Sequence, residues 1–269
     1  MTTEIEQALR TRNAAGHVGL IPFVTVGYPD PPATLDIIEA IVEAGADVVE
    51  LGVPFSDPLA EGATIQRTSF HALEQGVTPA SCIALAGDLR ARGVRAPLVL
   101  MGYYNPILAM GIDQFCASAA DAGVQGLIVA DLPAEEAGPL AEAAGARGLA
   151  IVPLLALTSN ERRIARACER AEGFVYCVSV LGVTGARAQL SERVEELVGT
   201  VRRHTRLPVG VGFGVTTPEH VRELGRYADA AVVGSALLNA IGDGHRETAA
   251  QRAADFIRSL ASGTSRDGE

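Results

Sequence analysis

The feature that most constrains this chain is a recurrence. Short runs rich in β-branched residues end in Gly, Pro or an acid, and each is followed by an amphipathic stretch. Eight such runs occur: Leu20–Val26, Asp47–Leu51, Pro97–Met101, Gly126–Ala130, Leu149–Leu154, Gly173–Ser179, Pro208–Phe213 and Ala230–Gly234. The segments Val48-Val49, Leu98-Val99-Leu100, Leu127-Ile128-Val129 and Val232-Val233 are apolar on both faces, as parallel strands covered by helices must be. Helix signals fill the gaps. Pro31-Pro32 opens a stretch in which Leu35, Ile38, Ile41 and Val42 share a face and Gly45 supplies a stop. Similar patterns run over Ile112–Ala122, Pro133–Arg147, Ser159–Ala171, Ser191–His204 and Pro218–Tyr227. Eight βα units in about 250 residues is the size of a (β/α)8 TIM barrel in the α/β class. An open doubly wound sheet is the alternative, but it offers no reason for eight strands. No linker interrupts the series, so residues 1–269 read as one domain. Residues 1–19 are expected to add a helix closing the barrel bottom, and 261–269 to form a flexible tail.

Composition then removes several chemistries. All 22 basic side chains are Arg, and no Lys occurs. A Schiff-base aldolase, a pyridoxal enzyme and a P-loop nucleotidase each need an ammonium group this chain does not supply. A net charge of -10 gives no field for nucleic acid. The chain shows no secretory signal and no apolar run of the roughly 18–20 residues a membrane helix needs. Cys82, Cys116, Cys168 and Cys177 and the five His are scattered without metal-ligand spacing. The thiols read as reduced core residues, which points to the cytoplasm.

In a barrel, chemistry collects at the C-terminal ends of the strands. The second run ends in Glu50, a carboxylate between Asp47-Val48-Val49 and Leu51-Gly52. Burial there raises its pKa and suits it to proton transfer near neutrality; a purely structural buried acid is the equal alternative. The loop Gly52–Gly62 follows, carrying Asp57, Glu61, two prolines and two glycines. It is able to set Glu61 across a pocket from Glu50, so that two carboxylates divide acid and base duties. On the far side, the seventh run meets Gly210-Val211-Gly212-Phe213-Gly214 and the eighth meets Gly234-Ser235 before a short apolar helix. Backbone N–H groups and a helix N-terminus there make a lysine-free cup for phosphate, with ligand-free tight turns as the alternative. After the sixth run, Gly182–Gln189 is small and polar, with glycines able to hinge a lid. Phe23, Tyr103 and Tyr176 stand where they line an aromatic-accepting pocket, although each alone is more often core packing.

These motifs together resemble the tryptophan synthase α-subunit family, over about Ile21 to Ile241. The most specific segment is Glu50-Leu-Gly-Val-Pro-Phe-Ser-Asp-Pro-Leu. It is joined in order by Met101-Gly-Tyr-Tyr-Asn-Pro, Val129-Ala-Asp-Leu-Pro, Gly182-Val-Thr-Gly, Gly212-Phe-Gly-Val and Val233-Gly-Ser. The resemblance implies a cofactor-independent lyase that cleaves indole-3-glycerol phosphate to indole and glyceraldehyde 3-phosphate. It also implies a pyridoxal-bearing β-subunit as partner, in an αββα assembly, or a stand-alone enzyme. By the same resemblance Glu50 and Glu61 are catalytic and Thr184 reaches toward Asp57 on loop closure. Substrate binding falls to Phe23, Tyr103, Tyr176, Thr184, Gly185, Gly212, Phe213, Gly214, Gly234 and Ser235. The chemistry is consistent with the composition: an indole ring protonated at C3 is its own electron sink, so neither imine nor metal is needed. One departure stands out. The family's Asp-Gly-Pro is Glu61-Gly62-Ala63 here, and the added methylene shifts a catalytic carboxylate unless the loop moves with it. That departure keeps a second reading open, a weakly active or inactive paralogue that binds and regulates a β-like subunit. A phosphate-sugar isomerase on the same scaffold is a third, weakened by the missing lysine.

Overall fold

In the computed structural model, residues 2–178, 187–212 and 214–266 are described. The strands are β1 (Gly19–Thr25), β2 (Val49–Gly52), β3 (Leu98–Gly102), β4 (Gly126–Val129), β5 (Ala150–Ile151), β6 (Leu154–Ala156), β7 (Val175–Val178), β8 (Val209–Gly212) and β9 (Ala230–Val233). The helices are α1 (Glu4–Ala14), α2 (Pro31–Glu43), α3 (Ala63–Glu74), α4 (Pro79–Ala91), α5 (Tyr104–Met110), α6 (Ile112–Asp121), α7 (Gly138–Gly145), α8 (Glu161–Glu169), α9 (Arg187–His204), α10 (Pro218–Leu224), α11 (Ser235–Gly242) and α12 (Ala249–Ala261). Among the described residues the strand ladders are parallel, in the order β5-β4-β3-β2-β1-β9-β8-β7-β6.

The eight runs thus become nine ladder segments, because the fifth run splits. Pro153 has no N–H to donate, so the ladder breaks there. The chain still closes the circle across the break. Val152 N–H donates to the Leu127 carbonyl on one side (3.0 Å), and the Pro153 carbonyl accepts from Tyr176 N–H on the other (3.0 Å). The result is a TIM barrel with its helices outside.

Register decides what faces inward. Phe23 pairs with Glu50, Glu50 with Val99, Val99 with Gly126 and Gly126 with Ala150. Laterally paired residues of parallel strands share a face, so Glu50 points into the barrel. The lower barrel is filled by side chains, as a packed core requires. Phe174 is fully buried there, and Ile5 of α1 inserts from below. A Cβ on Gly126 would lie 2.8 Å from Ile5 Cδ1, which is why this strand start carries none. Helix α1 is capped by the Thr3 hydroxyl, which accepts from Glu6 N–H, and buries Ile5 and Leu9 completely.

Two expectations need correction. Residues 261–266 are not a loose tail: Thr264 is buried, its carbonyl accepts from Val18 N–H at 2.8 Å, and Ser265 bridges to His17. This segment is thereby fixed against the chain entering β1; residues 267–269 lie outside the described residues. The helix expected over Pro133–Arg147 is only Gly138–Gly145, because Pro133 starts a turn in which Glu136 N–H bonds back to its carbonyl. Among the described residues no helix is long and apolar enough to cross a membrane.

Candidate active site

Glu50 is set by β2, whose four residues are all buried. It is 0% exposed, and neither carboxylate oxygen has a hydrogen-bond partner among the described residues. Burial drives its pKa well above the carboxylate range, and the charge of Glu61 pushes in the same direction. A native acid left unpaired in this way is held neutral and ready to give up a proton.

Glu61 approaches from the loop after β2. That loop is pinned rather than free. Val53 N–H continues the ladder to the Met101 carbonyl at 2.8 Å, and Ala60 N–H donates to the Tyr103 hydroxyl at 3.0 Å. The Tyr103 ring stacks on Phe55 with centroids 4.9 Å apart. Burial raises Glu61 to about pH 7, the value best placed for proton exchange at neutrality. Burial pushes Tyr103 up to about 12, with Glu61 and Asp131 adding to it. Glu61 also precedes the N-cap of α3, Gly62, so that Ala63 is the first helical residue.

Glu61, Met101 and Tyr176 line the inner end of a cavity of about 630 Å3. Tyr176 comes from β7, is 8% exposed, and has its pKa raised by burial and then by Glu50 and Glu61. All three groups therefore share one electrostatic neighbourhood. Glycines on the neighbouring strands make room for the rings. A Cβ on Gly212 would lie 2.5 Å from the Tyr176 hydroxyl, and one on Gly52 would lie 2.3 Å from the Phe23 ring. Asp57 sits on the exposed part of the same loop as Glu61, where the Ser56 hydroxyl donates to it at 2.6 Å.

The glycine cup lies beside these rings. Gly234 caps α11 without a side-chain bond, and the nearest side chains to a Cβ there would be Ile65 and Phe23. The first-turn N–H groups of a helix lack intrahelical acceptors, so Gly234 and Ser235 offer donors next to the Phe23–Glu50 pair. Gly214, with φ +48, holds a left-handed turn after β8 that favours glycine. Thr184, Gly185 and Phe213 fall outside the described residues, as does the expected contact of Thr184 with Asp57.

Sequence reading missed three contributors. Met101 and Leu154 line the cavity, and strand alternation from Val99 would have put Met101 inside. Asp131 accepts from Tyr104 N–H at 2.8 Å, fixing the start of α5 against the loop after β4; nothing in the spacing announced that bond.

A barrel with two raised carboxylates at one rim and backbone donors after β8 and β9 defines a class: a phosphate-substrate enzyme working by proton transfer. The particular family follows from comparison. The profile described as "Tryptophan synthase alpha chain" matches residues 9–264. A tryptophan synthase alpha chain of Roseiflexus castenholzii is 50% identical over 92% of this chain and 95% of its own. One from Chloroflexus aurantiacus is 46% identical over 98% and 99%. The crystal structure of the Legionella pneumophila alpha chain superposes with TM-score 0.90 at 31% identity, covering 100% of both chains. A tryptophan synthase structure from M. tuberculosis gives 0.89 at 34%, again over both chains in full. The chain belongs to the tryptophan synthase alpha chain family.

Proposed function

We infer that the chain cleaves indole-3-glycerol phosphate to indole and glyceraldehyde 3-phosphate, a carbon–carbon lyase reaction of tryptophan biosynthesis. The observation that carries this reading is Glu50, fully buried, unpartnered and electrostatically coupled to Glu61. Neutral Glu50 gives its proton to indole C3, and the positive charge that develops on the ring nitrogen is met by the Glu61 carboxylate through the N–H. Glu50, now ionised, takes the proton of the glycerol hydroxyl next to the ring. The C–C bond breaks, its electron pair returns to the ring and the carbinol becomes an aldehyde. One proton enters and one leaves, so no water or cofactor is consumed. Phe23 and Tyr176 flank the ring, Tyr103 holds the Glu61 loop, and N–H groups near Gly212, Gly214, Gly234 and Ser235 take the phosphate.

The partner we propose is a pyridoxal-bearing β-subunit in an αββα assembly; tryptophan synthase structures among the neighbours support it. The four free thiols support a cytoplasmic location. The test is an indole-release assay on the purified chain, without and with a β-subunit, with triose phosphate measured in parallel. Indole and aldehyde in equal amounts are expected, faster with the partner. No release in either condition, together with altered β-subunit turnover, would replace the lyase by the regulatory reading.

A further inference from the structure

The cavity that begins at Glu61 and Tyr176 does not stop at the barrel rim. It passes over the loop after β4 and continues outside the barrel, between α7 and α8. The register explains why a chamber exists there. Ala150 and Val152 face inward, so Ile151 presents its side chain outward. That face is normally covered by flanking helices, but α7 has 8 residues and α8 has 9. Leu140 and Ala141 on one helix and Ala167 on the other leave an apolar slot over Ile151. Arg170 reaches into this slot from the end of α8: a Cβ on Gly138 at the start of α7 would lie 3.3 Å from its Nη1. Among the described residues no hydrogen bond or ion pair is recorded for the Arg170 guanidinium. Arg163 stands at the rim, 3.9 Å from Glu135 across the slot.

We propose that this chamber is a second binding site, for a small planar aromatic carboxylate. Apolar walls with small side chains suit a flat ring, and a guanidinium with no acceptor among the described residues suits a carboxylate, which it can meet with two parallel N–H bonds. A neutral ring would fill the walls but gain nothing from Arg170, whose exposed guanidinium at the slot is met by water until a carboxylate replaces it. The occupant would share the fifth-strand wall with the cleavage site, since Leu154, three residues beyond Ile151, pairs with Tyr176.

The test is a fluorescence titration of the full chain with 2-naphthoate. Saturable binding of one molecule per chain is expected, at least tenfold tighter than 2-naphthylmethanol. Arg170→Met, which keeps the stem and removes the charge, should weaken binding at least tenfold while indole release stays within twofold of wild type. Ala141→Phe should abolish binding by filling the slot, with Ile151→Phe as the second filling variant should the first fail to fold. Naphthoate binding unchanged in Arg170→Met, equal binding of the alcohol, binding that survives the filling variants, or no saturable binding at millimolar ligand would each overturn the site. An active lyase that binds no naphthoate removes the chamber alone. A naphthoate-binding chain that releases no indole removes the lyase reading alone.

Discussion

The two ends of the barrel bury the same kind of residue and treat it differently. At the bottom, Asp47 accepts from Leu20 N–H at 2.8 Å and lies 3.7 Å from Arg12. Asp229 accepts from Val209 N–H at 2.8 Å and from Arg202 at 2.9 Å, with Arg266 3.6 Å away. At the top, three residues after Asp47, Glu50 is more deeply buried and has no partner. Burial of an acid is therefore not in itself a mark of chemistry. The mark is burial without the donors that would hold the anion, because such a group stores a proton instead of a salt bridge.

Removing the proton carrier at the top is the most damaging way to test this contrast. Glu50→Gln keeps the shape and cannot exchange a proton, so kcat should fall about 1,000-fold or more, with the circular dichroism spectrum unchanged. Activity above a tenth of wild type would take Glu50 out of the mechanism. The second carboxylate should matter less. Glu61→Ala is expected to lower kcat/KM about 100-fold. Because Ala60 is already tied to Tyr103 and the side chain lines the cavity, we expect Glu61 to be accommodated, and Glu61→Asp to lose about tenfold in kcat/KM. Ala63 is the first residue of α3, a position that tolerates proline. A several-fold gain in the pair Glu61→Asp with Ala63→Pro would show a misfit instead.

At the bottom the signature should reverse. Asp229→Ala leaves Val209 N–H without its acceptor and removes the ion-pair partner of Arg202 and Arg266, which keep the Tyr227 and Ala228 carbonyls, and should cost about 1–3 kcal/mol. For a chain of this size that is about 2–4 °C in Tm per kcal/mol, with kcat within twofold of wild type. A large loss of kcat at unchanged Tm would erase the distinction between the two ends.

The same contrast explains what was legible in the sequence. Strands buried on both faces announce themselves by composition, so the eight runs and the barrel were readable, and so was Glu50, a charged residue in such a run. Proline 153 was visible, but its effect, a strand that splits while the chain still closes the circle, depends on hydrogen bonds to two neighbours. The ordering of residues 261–266 beside β1 was hidden for a related reason. ASGTSR has the composition of a loose end, and long-range bonds order it: Thr264 to Val18 and Arg12, Ser265 to His17, and Arg266 to Gly16 and Ala228. In the site, side chains were easier to find than the proposed cup, which would act through backbone N–H groups alone.

The most gradual expected effect, spread over several pH units, is the most direct measure of the missing partner. An unfolded Glu50 ionises above its ordinary value of 4.5, whereas the native one keeps its proton because burial, and then Glu61, hold its pKa well above that value. Between those two pKa values the native state binds more protons than the unfolded state, so stability falls as pH rises. The loss begins near the unfolded value and ends once the folded value is passed. Its steepest slope is about 1.4 kcal/mol per pH unit, or about 3–5 °C in Tm. Gln at position 50 does not titrate, so the Tm of Glu50→Gln minus that of wild type should grow from pH 5 upward. Asp47→Asn supplies the control at the other end. Burial raises the Asp47 pKa too, but the Leu20 amide and the Arg12 charge oppose it, so its difference curve should be shallower. Melting curves of the three proteins from pH 5 to 8 compare the slopes, and a Glu50 curve as flat as that of Asp47 would mean that the carboxylate has found a partner after all.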